Sequence, residues 1–247
     1  ALQTWRVQLS WRDAQGAPLA EPLAGEADAS QVFHKQFATL AQELSTRGWG
    51  IIDGFVRGDE ADSIHLLARR FWVTGKAEWS PKHDHPVFCG IDEAGADLPE
   101  ALRSVQERID LLVKSLNLSV PDLKGPYDLR LPLVCTYRRE TRYARHCDSP
   151  PGRKVCTMIL YLNPFWRQKF GGALRLYPES SPDSCLEFGS SLPGFDSVAE
   201  ANGKAEPAVT IDPLHGRLFV FLCNDRNPHE VLPAWRPRSA VIWWMEQ

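Results

Sequence analysis

Three side chains in the second half of the sequence could share one cation. In Arg145-His146-Cys147-Asp148 the histidine and the aspartate are two residues apart at the end of an extended segment, so strand alternation would put both on one face. A third imidazole, His229, stands in Asn227-Pro228-His229-Glu230-Val231, just after the apolar run Arg217 to Cys223. Two imidazoles and one carboxylate on one face would leave three coordination positions open, a donor set that suits non-haem Fe(II). An H-x-D pair followed by a distant histidine also recurs in ordinary β proteins, so a structural role stays open on spacing alone.

Two further positions strengthen the metal reading. Arg238 opens the apolar strand Ser239-Ala240-Val241, where an unpaired guanidinium is costly to bury and asks for a carboxylate. A planar fork of this kind would hold the far end of a dicarboxylic cosubstrate. Tyr161, in Met158-Ile159-Leu160-Tyr161-Leu162, would bring a hydroxyl to the same ligand, or serve as a core tyrosine with an ordinary partner. Other histidines read as decoys. His83-Asp84-His85 sits between prolines in a polar stretch and reads as a surface loop; His215 reads as a turn residue; His34 and His65 lie on expected helices without a partner at ligand spacing.

The elements that must position these residues change character along the chain. A helix is expected from Ser30, a good cap, through Val32, Phe33, Phe37, Leu40, Ala41 and Leu44, stopping at Gly48. A buried strand follows around Trp49 to Val56, then a helix capped near Asp59 and a third amphipathic stripe from Leu102 to Leu116 opened by Pro99. From about Leu129 the period becomes that of strands: Leu131 to Tyr137, Val155 to Leu162, Gly172 to Tyr177, Ala208 to Ile211, Arg217 to Cys223 and Ser239 to Trp244. Helices first and many short strands afterwards predict an α+β fold, its sheet doubled into a barrel or jelly roll. Pro178 to Pro207 reads as one long loop.

Bulk properties narrow the function class. The chain has 247 residues, with 28 Lys+Arg against 31 Asp+Glu and 43% hydrophobic residues, values of a folded domain. A formal charge of −3 speaks against a dedicated nucleic-acid or membrane-surface protein. Neither an apolar span long enough for a bilayer nor a signal peptide is evident. The six cysteines are expected to be reduced, with Cys135, Cys156 and Cys223 acting as small hydrophobes in apolar runs. Arg138 to Arg175 is rich in Arg and Lys, either a solvated face or a groove for an acidic protein segment.

Four runs in order, Tyr143 to Asp148, Ile159 to Asn163, Gly171 to Pro178, and Asp225 to Val231 with Arg238, resemble the prolyl 4-hydroxylases of the oxygen-sensing type. The resemblance covers roughly Leu131 to Trp244. It implies a double-stranded β-helix with N-terminal supporting helices, in a single oxygenase domain over 1–247, with 1–128 as support plus first strands and 129–247 as catalytic core. It implies Fe(II) on His146, Asp148 and His229, with 2-oxoglutarate on Arg238 and Tyr161 and Tyr137 lining the same pocket. The reaction implied is C4 hydroxylation of a proline in a protein substrate, using O2, decarboxylating 2-oxoglutarate to succinate, with ascorbate as reductant. Protein partners of that family include a transcription-factor subunit, a ubiquitin-ligase adaptor and an elongation factor, met in the cytoplasm or nucleus. Ile242 departs from the threonine of the animal enzymes, and the segment after Asp148 is shorter. A 2-oxoglutarate oxygenase of another substrate, or a binding module on the same fold, are the competing expectations.

Overall fold

The computed structural model describes residues 26–74, 77–80, 85–88, 100–148, 154–177, 207–223 and 227–247. The chain divides into two compact units, residues 1–36 and 37–247, the first contributing only the opening of helix α1 (Glu26–Arg47) to the described residues. α1 begins four residues before the expected cap at Ser30 and ends where expected. Gly48 takes a left-handed φ of +80° and its N–H closes the last turn on the Leu44 carbonyl at 3.0 Å. In the second unit, α2 (Gly58–Val73) follows strand β1 (Trp49–Ile52), and α3 (Glu100–Ser119) carries the third stripe. Leu102, Val105, Ile109, Leu112, Val113 and Leu116 are all buried, so its apolar face lies wholly inside.

The remaining strands are β2 (Ala77–Ser80), β3 (His85–Phe88), β4 (Asp128–Leu129), β5 (Leu133–Tyr137), β6 (Tyr143–His146) and β7 (Lys154–Tyr161). They continue with β8 (Leu174–Leu176), β9 (Val209–Ile211), β10 (Leu218–Leu222), β11 (His229–Val231) and β12 (Arg238–Glu246). Among the described residues they form two sheets. The larger runs β1-β10-β7-β12-β5-β3-β2 with β4 on β12, and the smaller runs β6-β11-β8-β9. Every pairing is antiparallel, and neighbours such as β12 and β7 are far apart in sequence. One buried cluster joins inward residues of the larger sheet (Tyr137, Ile159, Tyr161, Phe219, Phe221, Ala240) to those of the smaller (Leu174, Leu176, Ile211, Val231). Two antiparallel sheets sharing one core make the jelly roll that the strand pattern predicts.

Two expectations change. His85 begins a strand and does not sit in a loop; its pairing with Ser80 supplies the order that the polar sequence does not announce. His83 and Asp84 lie outside the described residues, as does 178–206 of the long loop. Cys147 is disulfide-bonded and so is not reduced, while Cys135, Cys156 and Cys223 are free and buried as expected.

Candidate metal centre and carboxylate anchor

β6 and β11 are neighbours in the smaller sheet, and their register sets His146 directly opposite His229. The two imidazole centroids are 4.3 Å apart, with the Tyr143 ring 3.8 Å from His146 and the Phe221 ring edge-on to His229 at 4.8 Å. Strand alternation does not by itself bring in Asp148, because β6 ends at His146 and Asp148 lies in the bend beyond it. Its Oδ1 sits 3.6 Å from His146 Nε2 and 3.9 Å from His229 Nε2. One ligand atom from each of the three falls within 4.8 Å of the other two, a separation that a single cation can bridge.

The orientation of the donors is fixed from behind. The His229 Nδ1 faces the Asn227 carbonyl at 3.1 Å, so the N–H belongs there and Nε2 keeps its lone pair toward Asp148. Asn227 is itself held, its buried side-chain amide donating to the carbonyls of Gly48 and Leu222 at 3.1 and 2.9 Å. Burial, then the neighbouring His146, lower His229 to about 4, so at neutral pH it is the free base that a metal needs. Burial alone would raise the Asp148 carboxyl, yet the imidazoles of His146 and His229 hold it well below the usual carboxylate range. At pH 7 the centre therefore offers the Asp148 carboxylate and the free-base lone pair of His229.

A cavity of about 210 Å³ opens from this centre between the sheets. Its walls are apolar or aromatic at Leu133, Ile159, Leu174, Val231, Ile242 and Trp244, and it reaches Tyr137 and Arg238. Arg238 is 2% exposed, its guanidinium carbon 4.8 Å from the Tyr137 ring and 5.0 Å from the Tyr161 ring. Among the described residues no carboxylate forms an ion pair with it, and its Nε is buried without a hydrogen-bond partner. The Tyr161 hydroxyl lies beside the guanidinium, buried and without a partner of bonding geometry. Burial pushes it up to about 12, so it remains a donor. A cation and a hydroxyl left unpaired in a dry wall fit a ligand that brings the missing carboxylate.

The anchor depends on close packing that the sequence hides. A Cβ on Gly172, at φ +67°, would come within 3.0 Å of Arg238 Cδ and 3.1 Å of both Ala234 and Trp166, so only glycine leaves the guanidinium its place. Asn163 fixes the start of β12, accepting from the Ser239 N–H at 2.7 Å and donating to the Ser239 and Pro213 carbonyls at 3.1 and 3.0 Å. All six residues expected from sequence therefore meet in one region of the fold. The decoys do not join it: His215 faces Asp62 at 3.3 Å, and the His65 ring nitrogen meets the Leu162 carbonyl at 2.7 Å. Sequence reasoning missed Thr157, Asn163 and Asn227, three buried polar residues. Thr157 could have been found, being the lone hydroxyl in the apolar run Val155 to Leu160, in phase with Ile159 and Tyr161.

In the basic segment Arg138, Arg139, Arg167 and Lys169 are exposed, as on a solvated face, while three other cations are held by neighbours. The Arg145 guanidinium stacks 3.9 Å over Tyr177, Arg175 pairs with Glu230 at 3.6 Å, and Lys154 sits 4.2 Å over Trp244 at the cavity wall.

Comparison with known proteins agrees with this geometry. Residues 133–246 match the 2OG-Fe(II) oxygenase superfamily. The chain is 33% identical to human prolyl hydroxylase EGLN3 over 212 residues, covering 80% of this chain and 77% of that protein. It is 28% identical over 227 residues to the hypoxia-inducible factor prolyl hydroxylase of Caenorhabditis elegans, covering 84% of this chain. It spans only 28% of that relative's length and 29% of human Egl nine homolog 1. Among solved structures, a Trichoplax adhaerens prolyl hydroxylase in complex with a hypoxia inducible factor peptide fragment superposes with a TM-score of 0.72 at 23% identity, covering 90% of this chain and 94% of that one. A cavity with a two-histidine, one-carboxylate centre at one end and an unpaired arginine at the other, on a chain one-third identical to EGLN3 across most of both lengths, places this protein in the prolyl hydroxylase family of 2-oxoglutarate and Fe(II) oxygenases.

Proposed function

We propose that this protein hydroxylates C4 of a proline in a protein substrate, consuming O2 and 2-oxoglutarate and releasing succinate and CO2. The observation that carries the reading is the cavity that joins His146, Asp148 and His229 to the buried Arg238. His146 Nε2, His229 Nε2 and Asp148 would hold Fe(II) on one face, leaving the other face to cosubstrate and oxygen. Bound iron with 2-oxoglutarate supplies the oxidising chemistry. The chain's own residues bind, orient and exclude water. Arg238 takes the distal carboxylate with its fork, Tyr161 donates its hydroxyl to the same group, and the Tyr137 ring closes the wall. Leu133, Ile159, Leu174, Val231 and Ile242 keep the space between dry, which protects the reacting centre from side reactions.

The relatives' names support a peptide of the hypoxia-inducible-factor kind as the first substrate to test, ahead of ubiquitin-ligase adaptor and elongation-factor prolines. We take 129–247 as the catalytic core and 1–128 as its helical support, acting in the cytoplasm or nucleus with ascorbate as reductant. No described helix is long and apolar enough to cross a membrane. The test is mass spectrometry of proline peptides from the three classes, incubated with protein, Fe(II), ascorbate and 2-oxoglutarate in air, with His146→Ala as control. One oxygen gained on a proline, absent in the control, is expected. Succinate without peptide oxidation would move the activity to another substrate, and neither signal would favour a binding module.

A further inference from the structure

The carboxylate of Asp148 is divided between two tasks. Its Oδ1 faces both imidazoles, while its Oδ2 accepts a hydrogen bond from Thr157 Oγ1 at 2.5 Å. Thr157 is 1% exposed on β7, opposite Phe221 on one neighbouring strand and Trp244 on the other. Its single proton is given to Asp148. The Cys223 thiol 2.8 Å from the same Oγ1 must then be a donor, making a chain from Cys223 S–H to Thr157 O–H to Asp148 Oδ2. Burial keeps that thiol protonated, pushing Cys223 well up.

We infer that Thr157, backed by Cys223, is the positioning residue for Asp148, binding one carboxylate oxygen so that the other alone serves the metal. The inference rests on the metal reading above and goes beyond it, since the strand that carries His146 stops before Asp148 and gives the carboxylate no register of its own. Without the Thr157 hydroxyl, the carboxyl could rotate about its Cβ–Cγ bond, turning Oδ2 toward the imidazoles or away from both. Partners of this kind commonly matter about 10- to 100-fold in metal affinity.

The test uses the whole metal-free protein and Mn(II) as probe, with free Mn(II) followed by its electron paramagnetic resonance signal. Thr157→Val, which keeps the shape and removes the hydroxyl, is expected to weaken Mn(II) binding roughly 10-fold or more. Thr157→Ser is expected to bring affinity back to within a few-fold of wild type, and Cys223→Ala to fall between. Wild-type Mn(II) affinity in Thr157→Val would overturn the inference, as would a Thr157→Ser variant as weak as Thr157→Val. Should Thr157→Val fail to fold, the serine and Cys223→Ala variants carry the same comparison. Wild-type protein that takes up no Mn(II) would overturn the metal reading itself, and this inference with it.

Discussion

The two ends of the cavity solve opposite problems. At the metal end His229 and Asp148 have partners behind them: Asn227 O for His229 Nδ1, and the Thr157 hydroxyl for Asp148 Oδ2. At the other end Arg238 is just as buried but its Nε and the adjacent Tyr161 hydroxyl have none. The first end is pre-set before a ligand arrives. The second is electrically incomplete until one does, and unpaired buried charge costs stability that ligand binding recovers. On the proposed reading, affinity at the metal end would come from rigidity, and at the anchor end from relief of an unfavourable ligand-free state.

The sharpest way to break this contrast is to cut each end separately. Asp148→Ala should abolish Mn(II) uptake, and it should also destabilise the metal-free protein by about 1–3 kcal/mol, seen as a lower melting temperature, because the Thr157 hydroxyl loses its acceptor. Metal binding that survives Asp148→Ala would remove the three-donor centre. Arg238→Ala should weaken 2-oxoglutarate by about 2–5 kcal/mol, roughly 30-fold or more, with Mn(II) affinity unchanged. Calorimetric titration checks both ligands, and an unaltered cosubstrate affinity would end the anchor role. Arg238→Met, in contrast to Asp148→Ala, should leave the ligand-free protein at least as stable as wild type, since it fills the space and removes the uncompensated charge.

Smaller effects sharpen the same comparison. Gly172→Ala, which crowds Arg238 at a φ of +67°, should cost about 1–2 kcal/mol and raise the 2-oxoglutarate KM before it touches metal affinity. Acidification should act mainly at the metal end. His229 is lowered to about 4 by burial and then by His146, whereas an unfolded histidine titrates near pH 6.5. Between those values the unfolded chain takes up a proton that the native site refuses, so metal-free protein loses stability as pH falls from about 6.5 to 4. Asp148, held low beside the imidazoles, extends the loss below about pH 4, where unfolded carboxylates protonate first. Melting scans across this range would show it, and a flat profile would mean that the imidazole is not buried as a free base.

Much of this was legible in residue types and spacing. The chemistry of His146, Asp148, His229 and Arg238 is carried by donor sets, and apolar periodicity gave the three helices and the strands of the second half. A short strand in a polar stretch was harder to see: β3 starts at His85, and it exists because a neighbouring strand offers backbone partners. The disulfide at Cys147 is not legible in the sequence, because a count of thiols says nothing of which ones approach.

The sequence by itself determined which side chains could bind a cation or a carboxylate, because charge, lone pairs and hydrogen-bonding capacity belong to the residue type. Only the tertiary structure decided that they act on one ligand set. The antiparallel register of β6 with β11 puts His146 opposite His229, and that of β12 with β5 puts Arg238 opposite Tyr137, across sequence separations that no local pattern encodes. It also decided the work of the silent residues. Thr157, Asn163 and Asn227 are unremarkable in sequence, and become positioning groups because burial removes the water that would otherwise compete for their hydrogen bonds.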